Sequence, residues 1–188
     1  MFELRETGLP GCMELQGVLR DDARGSFLKT FHADFFRSAG LRTDFREQYF
    51  SISTKGVLRG LHFQRPPHDH AKLVYCTQGE VMDVVVDLRA GSPAFGQHAR
   101  LDLGARRGNL VYIPSGLAHG FITGSDSATL VYNVTSVHAP ESDSGIRWDS
   151  AGVDWGAATP LVSDRDAGLP PLSQFSTPFS FSASQDHA

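Results

Sequence analysis

The chain has no stretch approaching the roughly 20 consecutive apolar residues of a membrane span, and its mean hydropathy is −0.21. Its start, Met-Phe-Glu-Leu-Arg-Glu-Thr, has neither the basic lead nor the apolar run of a secretory signal. A soluble, cytoplasmic protein with no membrane partner is therefore expected. Cysteine is scarce: Cys12 and Cys76 are the only two in 188 residues. They stand in unrelated segments and read as buried or half-buried thiols of a cytosolic chain, not as a disulfide framework. Excess basic charge is absent too, with 17 Lys and Arg against 21 Asp and Glu. The scattered arginines offer no field for nucleic acid. There is no internal repeat.

What is present is β-forming sequence. Glu80–Leu88 is rich in valine, and Lys72–Thr77, Asn109–Ile113, Phe121–Thr123 and Ala128–Val134 share the β-branched and aromatic bias. Between them stand Gln78-Gly79, Arg89–Pro93, Gly104–Gly108, Pro114–Gly116 and Gly124–Asp126, all with turn-forming composition. Short strands at about 8 to 12 residue spacing, punctuated in this way, predict a sandwich or barrel. Only His32–Ala39, closed by Gly40, has a helical pattern. The expected organisation is one domain over 1–188. It has a mainly β core at about 50–140, an N-terminal decoration at about 1–49 and an irregular C-terminal arm at about 150–188 that frays towards its end.

Within this frame a few side chains are out of place. His62 lies between Leu61 and Phe63, and strand alternation turns it to the opposite face from both. A lone histidine is more often a core or surface residue bonded to backbone; one facing a barrel interior would be a base in a pocket. Lys72 opens an apolar strand, where a strongly hydrated ammonium has no structural purpose unless it merely snorkels at the strand end.

Eight histidines in a β barrel also suggest a metal-binding cupin. Pro114-Ser-Gly116-Leu-Ala-His119 has the form of the second cupin motif and His68-Asp-His70 offers the His-x-His of the first. The acid of the first motif should stand seven residues before a glycine, and the residue seven before Gly79 is Lys72. An ammonium there repels a divalent ion but supplies positive charge to a developing oxyanion. No metal is expected, and His68 and His70 are assigned to a polar loop.

Eight segments carry a more specific resemblance. They are Arg24–Phe27, Gly56–Phe63, Lys72–Val74, Gly79–Arg89, Gly91–Gly96, Ile113–Phe121, Pro140–Trp148 and Leu161–Asp166. In this order, over roughly residues 5–170, they resemble the dTDP-4-dehydrorhamnose 3,5-epimerase family. The resemblance implies a cupin-type jelly-roll barrel, no cofactor, and a homodimer whose N-terminal segments help to build the partner's site. The implied substrate is a nucleotide-linked 4-keto-6-deoxyhexose. Its C4 ketone acidifies the protons at C3 and C5, so each centre can be inverted through an enolate.

By the same resemblance, His62 is the base and Asp166 the carboxylate that orients it. Lys72 is the cation at the enolate oxygen, and Tyr132 the phenol that reprotonates from the opposite face. Arg24 and Arg59 suit a diphosphate, His119 lies near sugar and diphosphate, and Asp83 fixes the tautomer of His119. Asp143 replaces a usual glutamate as a binding group.

Three positions depart from the pattern. Lys29 stands where many members have an acid, Glu47 replaces a base-contacting glutamine ahead of Gln48-Tyr49-Phe50, and His138 replaces a tyrosine. Glutamate only accepts hydrogen bonds, so Glu47 would favour the amino group of cytosine over thymine unless Lys29 pairs with it. Alternatives therefore stay open: a CDP-sugar epimerase, an enzyme inverting C3 alone, a ketoisomerase on the same scaffold, or a metal- or sugar-binding cupin without turnover.

Overall fold

The structure, a computed structural model, describes residues 2–182; the end of the C-terminal arm, expected to fray, lies outside the described residues. In chain order the strands are β1 Glu3–Glu6, β2 Met13–Gln16, β3 Arg20–Asp22, β4 Gly25–Phe27, β5 Glu47–Thr54, β6 Leu58–Gln64 and β7 Lys72–Gln78. They continue with β8 Glu80–Asp87, β9 His98–Gly104, β10 Asn109–Ile113, β11 Leu117–Thr123, β12 Ser127–Val134 and β13 Asp143–Gly145. Two short helices, α1 Ala33–Ser38 and α2 Asp164–Ala167, complete the set with a 3₁₀ turn at Leu172–Gln174. All strand pairings are antiparallel and form a six-stranded sheet ordered β1-β2-β10-β7-β12-β5 and a five-stranded sheet ordered β13-β6-β11-β8-β9. The fold is a cupin-like jelly roll of two facing sheets. The hairpin β3–β4 stands apart as its own two-stranded sheet.

Alternation sorts the side chains into three apolar layers. Val74, Cys76, Val81, Val85, Val111, Phe121 and Leu130 fill the space between the sheets. On the outer face of the five-stranded sheet, Leu58, Leu61, Phe63, Val84, Val86 and Ile122 pack against Ile146, just after β13, and against Trp155 and Phe179 of the C-terminal arm. The outer face of the six-stranded sheet, with Leu15, Leu73, Tyr75 and Leu110, is covered by Phe36 of α1 and by Leu41. Each fully buried side chain of this size contributes about 1.5–3 kcal/mol, so a segment poor in hydrogen-bonded secondary structure, such as the arm, is still held in place.

The helix at α1 lies where the pattern places it: the His32 side chain caps it by accepting from the Phe35 amide, and Gly40 follows at φ +70°. The N-terminal region is more than a decoration, because β2 pairs with β10 inside the six-stranded sheet and β5 already begins at Glu47. A second helical turn, α2, was not expected. Ser163 caps it by accepting from the Asp166 amide, with Asp164 and Asp166 in its first turn, an S-x-x-D signature readable in the sequence.

Candidate active site

The ladder registers place polar groups on the two inner faces. On the six-stranded sheet Lys72, Val134 and Glu47 form one row, and Val74, Tyr132 and Tyr49 form the next. On the facing sheet His62 stands directly opposite His119, with Asp83 diagonal to it. His119 meets Tyr132 edge-on across the interior, with ring centroids 6.0 Å apart.

A break in register between β6 and β11 assembles the rest. His119 pairs with His62 but Phe121 with Arg59, so one extra residue lies on β6 between the two pairs. The bulge brings Arg59 and His62, an odd number of residues apart, onto the same face. Its Gly60 amide donates to Asp166 Oδ2 at 3.1 Å, while Asp166 Oδ1 lies 2.7 Å from His62 Nε2. Asp166 is buried; burial raises its carboxyl, but the bonds from His62 and Gly60 outweigh this and hold it below the usual range. An ionised carboxylate can only accept, so Nε2 carries the proton and Nδ1 is left as the basic nitrogen.

Gly60 has φ +141°, and a Cβ there would come within 2.6 Å of Gly120 Cα. Gly60→Ala is therefore expected to cost about 2–4 kcal/mol through backbone strain and overpacking. Urea unfolding checks this; a loss under 1 kcal/mol would show that β6 and β11 separate freely here.

Lys72 Nζ donates to the His62 carbonyl at 3.0 Å. Burial lowers its ammonium to about 8, against the opposing pull of Asp143 and Asp83. Asp83 is fully buried, which raises its carboxyl; Oδ2 meets His119 Nε2 at 2.7 Å, and Oδ1 has no partner among the described residues. Tyr132 is buried, its phenol 3.3 Å from Ser51 Oγ, and burial raises its pKa. Its ring stacks on Tyr49 at 4.9 Å and 17°.

A cavity of about 290 Å³, at the lower end of the range for small-molecule sites, is lined by His62, Lys72, Glu47, His138 and Asp143 together with Tyr49, Gln64, His70 and Arg165. Arg165 pairs with Asp143 at 2.7 Å. Glu47 accepts from the His138 amide at 2.7 Å. Arg59 is bound to Ser53 Oγ on β5 at 3.0 Å.

Arg24 and Lys29 do not join this cavity within one chain. Arg24 pairs with Asp22 on the exposed hairpin, and Lys29 lines a separate hollow with Phe27 and His32. The alternative of a Lys29–Glu47 ion pair is not made within the described chain: Glu47 sits at the start of β5 in the cavity wall, whereas Lys29 follows the hairpin.

His68 and His70 lie on the loop after β6, as expected, yet His70 also faces the cavity; burial and the charge of Lys72 press its imidazole down to about 3. Buried Gln64 fixes this wall. It donates to the carbonyls of His68 at 2.7 Å and Val137 at 3.3 Å and accepts from the Ala139 amide at 2.7 Å. Among the described residues no three His, Cys, Asp or Glu side chains form a group able to hold a metal ion. No helix of the described residues is long and apolar enough to cross a membrane.

Sequence reasoning missed Tyr49, Gln64, Ser51 and Arg165 as parts of the site. Gln64 was findable, two residues from His62 on the same strand face; Tyr49 and Ser51 required the β5–β12 register.

A jelly roll holding a histidine–carboxylate pair and an ammonium at one inter-sheet cavity, with a buried phenol stacked behind its wall, defines an acid–base enzyme of the cupin type, equipped to move protons next to a carbonyl. The dTDP-4-dehydrorhamnose 3,5-epimerase family model matches residues 6–174. The dTDP-4-dehydrorhamnose 3,5-epimerase of Mycolicibacterium smegmatis is 40% identical over 90% of this chain and 86% of its own length. The dTDP-4-dehydrorhamnose 3-epimerase of Streptomyces niveus is 41% identical over 88% of this chain and 81% of its own. A solved dTDP-6-deoxy-D-glucose-3,5-epimerase of Legionella pneumophila, in complex with dTDP-4-keto-L-rhamnose, superposes with a TM-score of 0.91 at 32% identity, covering 97% of this chain and 100% of that one. The chain belongs to the dTDP-4-dehydrorhamnose 3,5-epimerase family.

Proposed function

We propose that this protein epimerises dTDP-4-dehydro-6-deoxyglucose at C3 and C5, giving the dTDP-4-dehydrorhamnose type of product. The observation that carries this reading is the His62–Asp166 pair at 2.7 Å opening onto the same cavity as Lys72. His62 Nδ1 takes the proton alpha to the ketone, and the imidazolium is stabilised by Asp166. The electron pair moves onto the C4 oxygen, where the Lys72 ammonium meets the negative charge. Tyr132 returns a proton from the other face, and the enolate collapses to the inverted ketone. His62 then gives up its proton and Tyr132 regains one from solvent. Two such rounds invert two centres with no net change in atoms.

Arg59 and His119 bind the diphosphate side, with Asp83 holding the His119 ring. Asp143, His138 and Glu47 bind along the wall towards the base. Glu47 already accepts from the His138 amide, which leaves one oxygen for the nucleobase, and the dTDP relatives support thymine. Proton NMR in D₂O with the dTDP sugar and its CDP counterpart tests the reading. Deuterium at both C3 and C5 of the dTDP sugar is the expected result; C3 alone gives a 3-epimerase, like the Streptomyces niveus relative, and no exchange with either sugar rejects the reading.

The second part of the proposal is a cytoplasmic homodimer of single-domain chains. β5 is an edge strand of its sheet and exposes Phe50 and Ile52, a liability that a partner would cover. Arg24 stands on an exposed hairpin, away from its own cavity, and would serve the partner's diphosphate. Mixing inactive Arg24→Ala and His62→Ala proteins after subunit exchange is then expected to restore activity, since one site per mixed dimer has both residues. No recovery would place Arg24 in cis, and an Arg24→Ala protein active by itself would place it outside the site.

A further inference from the structure

β5 does more than supply a cavity wall. Tyr49 stands directly opposite Tyr132 in the β5–β12 register, and their rings lie face to face at 4.9 Å and 17°. Two residues along the same face of β5, Ser51 Oγ meets the Tyr132 phenol at 3.3 Å. One strand therefore holds both the ring plane and the hydroxyl of Tyr132. Tyr49 is the cavity-facing member of the stack, lining the same space as His62 and Lys72, while Tyr132 is buried behind it against His119.

We infer that Tyr49 is a positioning residue which, by stacking, aims the Tyr132 phenol, and so sets the fraction of deprotonated sugar that is completed to the inverted product. The inference rests on the proposed epimerase reading. A phenol must approach the enolate carbon along a narrow direction to deliver its proton, and displacement of about 1 Å can cost 10²-fold. Ser51 fixes the hydroxyl end of Tyr132 and His119 meets the ring at its edge; the flat face of Tyr49 fixes the ring plane on the cavity side. The phenol of Tyr49 is not needed for this role. Partial desolvation in the cavity wall and the charges of Glu47 and Asp143 hold it protonated, up at about 12, even with 42% of its surface exposed.

The test compares Tyr49→Phe, Tyr49→Leu and wild type in D₂O with dTDP-4-keto-6-deoxyglucose, following solvent exchange separately from formation of inverted product. Tyr49→Phe keeps the stack and is expected within about twofold of wild type on both measures. Tyr49→Leu fills space without stacking; it is expected to keep first exchange within about threefold while inverted product per exchange event falls about tenfold or more. An unchanged product-to-exchange ratio in Tyr49→Leu overturns the inference. A Tyr49→Phe defect as large as that of Tyr49→Leu overturns it too, because the hydroxyl would then be the active part. If wild type shows no exchange at all, the epimerase reading itself fails and this inference falls with it, an outcome separate from the two above. Tyr49→Ala, on an exposed edge strand, serves as the second variant if Tyr49→Leu does not fold.

Discussion

His62→Ala is expected to abolish solvent exchange at both C3 and C5, a loss of about 10²–10⁴-fold or more, because the cavity would lose the imidazole that Asp166 holds at 2.7 Å and orients as a base. Two further imidazoles, His70 and His138, stand in the cavity wall; with its pKa pressed to about 3, His70 is too weak a base to replace His62. Lys72 is cationic until about pH 8, and the two phenols are raised. The stability cost is expected to be modest, about 1–3 kcal/mol for a lost charged hydrogen bond, since His62 is half-buried and Asp166 keeps the Gly60 amide. Isotope exchange by NMR and urea unfolding on the same sample separate the two effects. Near-normal turnover in the variant would remove His62 from the role of base.

Lys72→Met is expected to slow the reaction about 10²-fold or more, the scale of a lost oxyanion donor, with a smaller effect on substrate affinity. A second consequence concerns pH. The Lys72 ammonium titrates near 8 in the fold against 10.5 ordinarily, so wild-type activity is expected to fall as pH rises through about 8. Stability moves the other way. Below pH 8 the buried charge is a full penalty on the fold; between about 8 and 10.5 the unfolded chain binds the extra proton, so the penalty is relieved as pH rises. Relative to Lys72→Met, wild type should therefore gain stability across the same window in which it loses activity. Lys72→Arg, whose guanidinium stays protonated, should lose the descending limb of the rate profile even if its rate is low. A wild-type profile flat to pH 10 would mean that the charge of Lys72 does not act on the enolate.

The chain's own patterning carried much of the architecture. Valine-rich, β-branched and aromatic runs with glycine turns between them specify most strands of the central sheets, and His32 with Gly40 bounds the first helix, because these signals act within a few residues. The anomalies were also local: an ammonium opening an apolar strand, an acid inside a valine run, a histidine facing away from two hydrophobic neighbours. Together with the ordered motifs, they point to proton transfer beside a ketone.

The long-range pairings were not legible in the same way. Asp166 reaches His62 across 104 residues of chain because the apolar arm packs on the outer face of the five-stranded sheet and a one-turn helix presents the carboxylate to a bulge. The shared face of Arg59 and His62 depends on that bulge, a register shift between two strands that neither strand's pattern reveals. Tyr49 and Ser51 find Tyr132 only through the alignment of β5 with β12. Nearest-neighbour chemistry determines strands, turns and charge, and these can be read along the chain. Which strand aligns with which residue of another is decided by the packing of all three apolar layers together, and it is this alignment that turns separate side chains into one site.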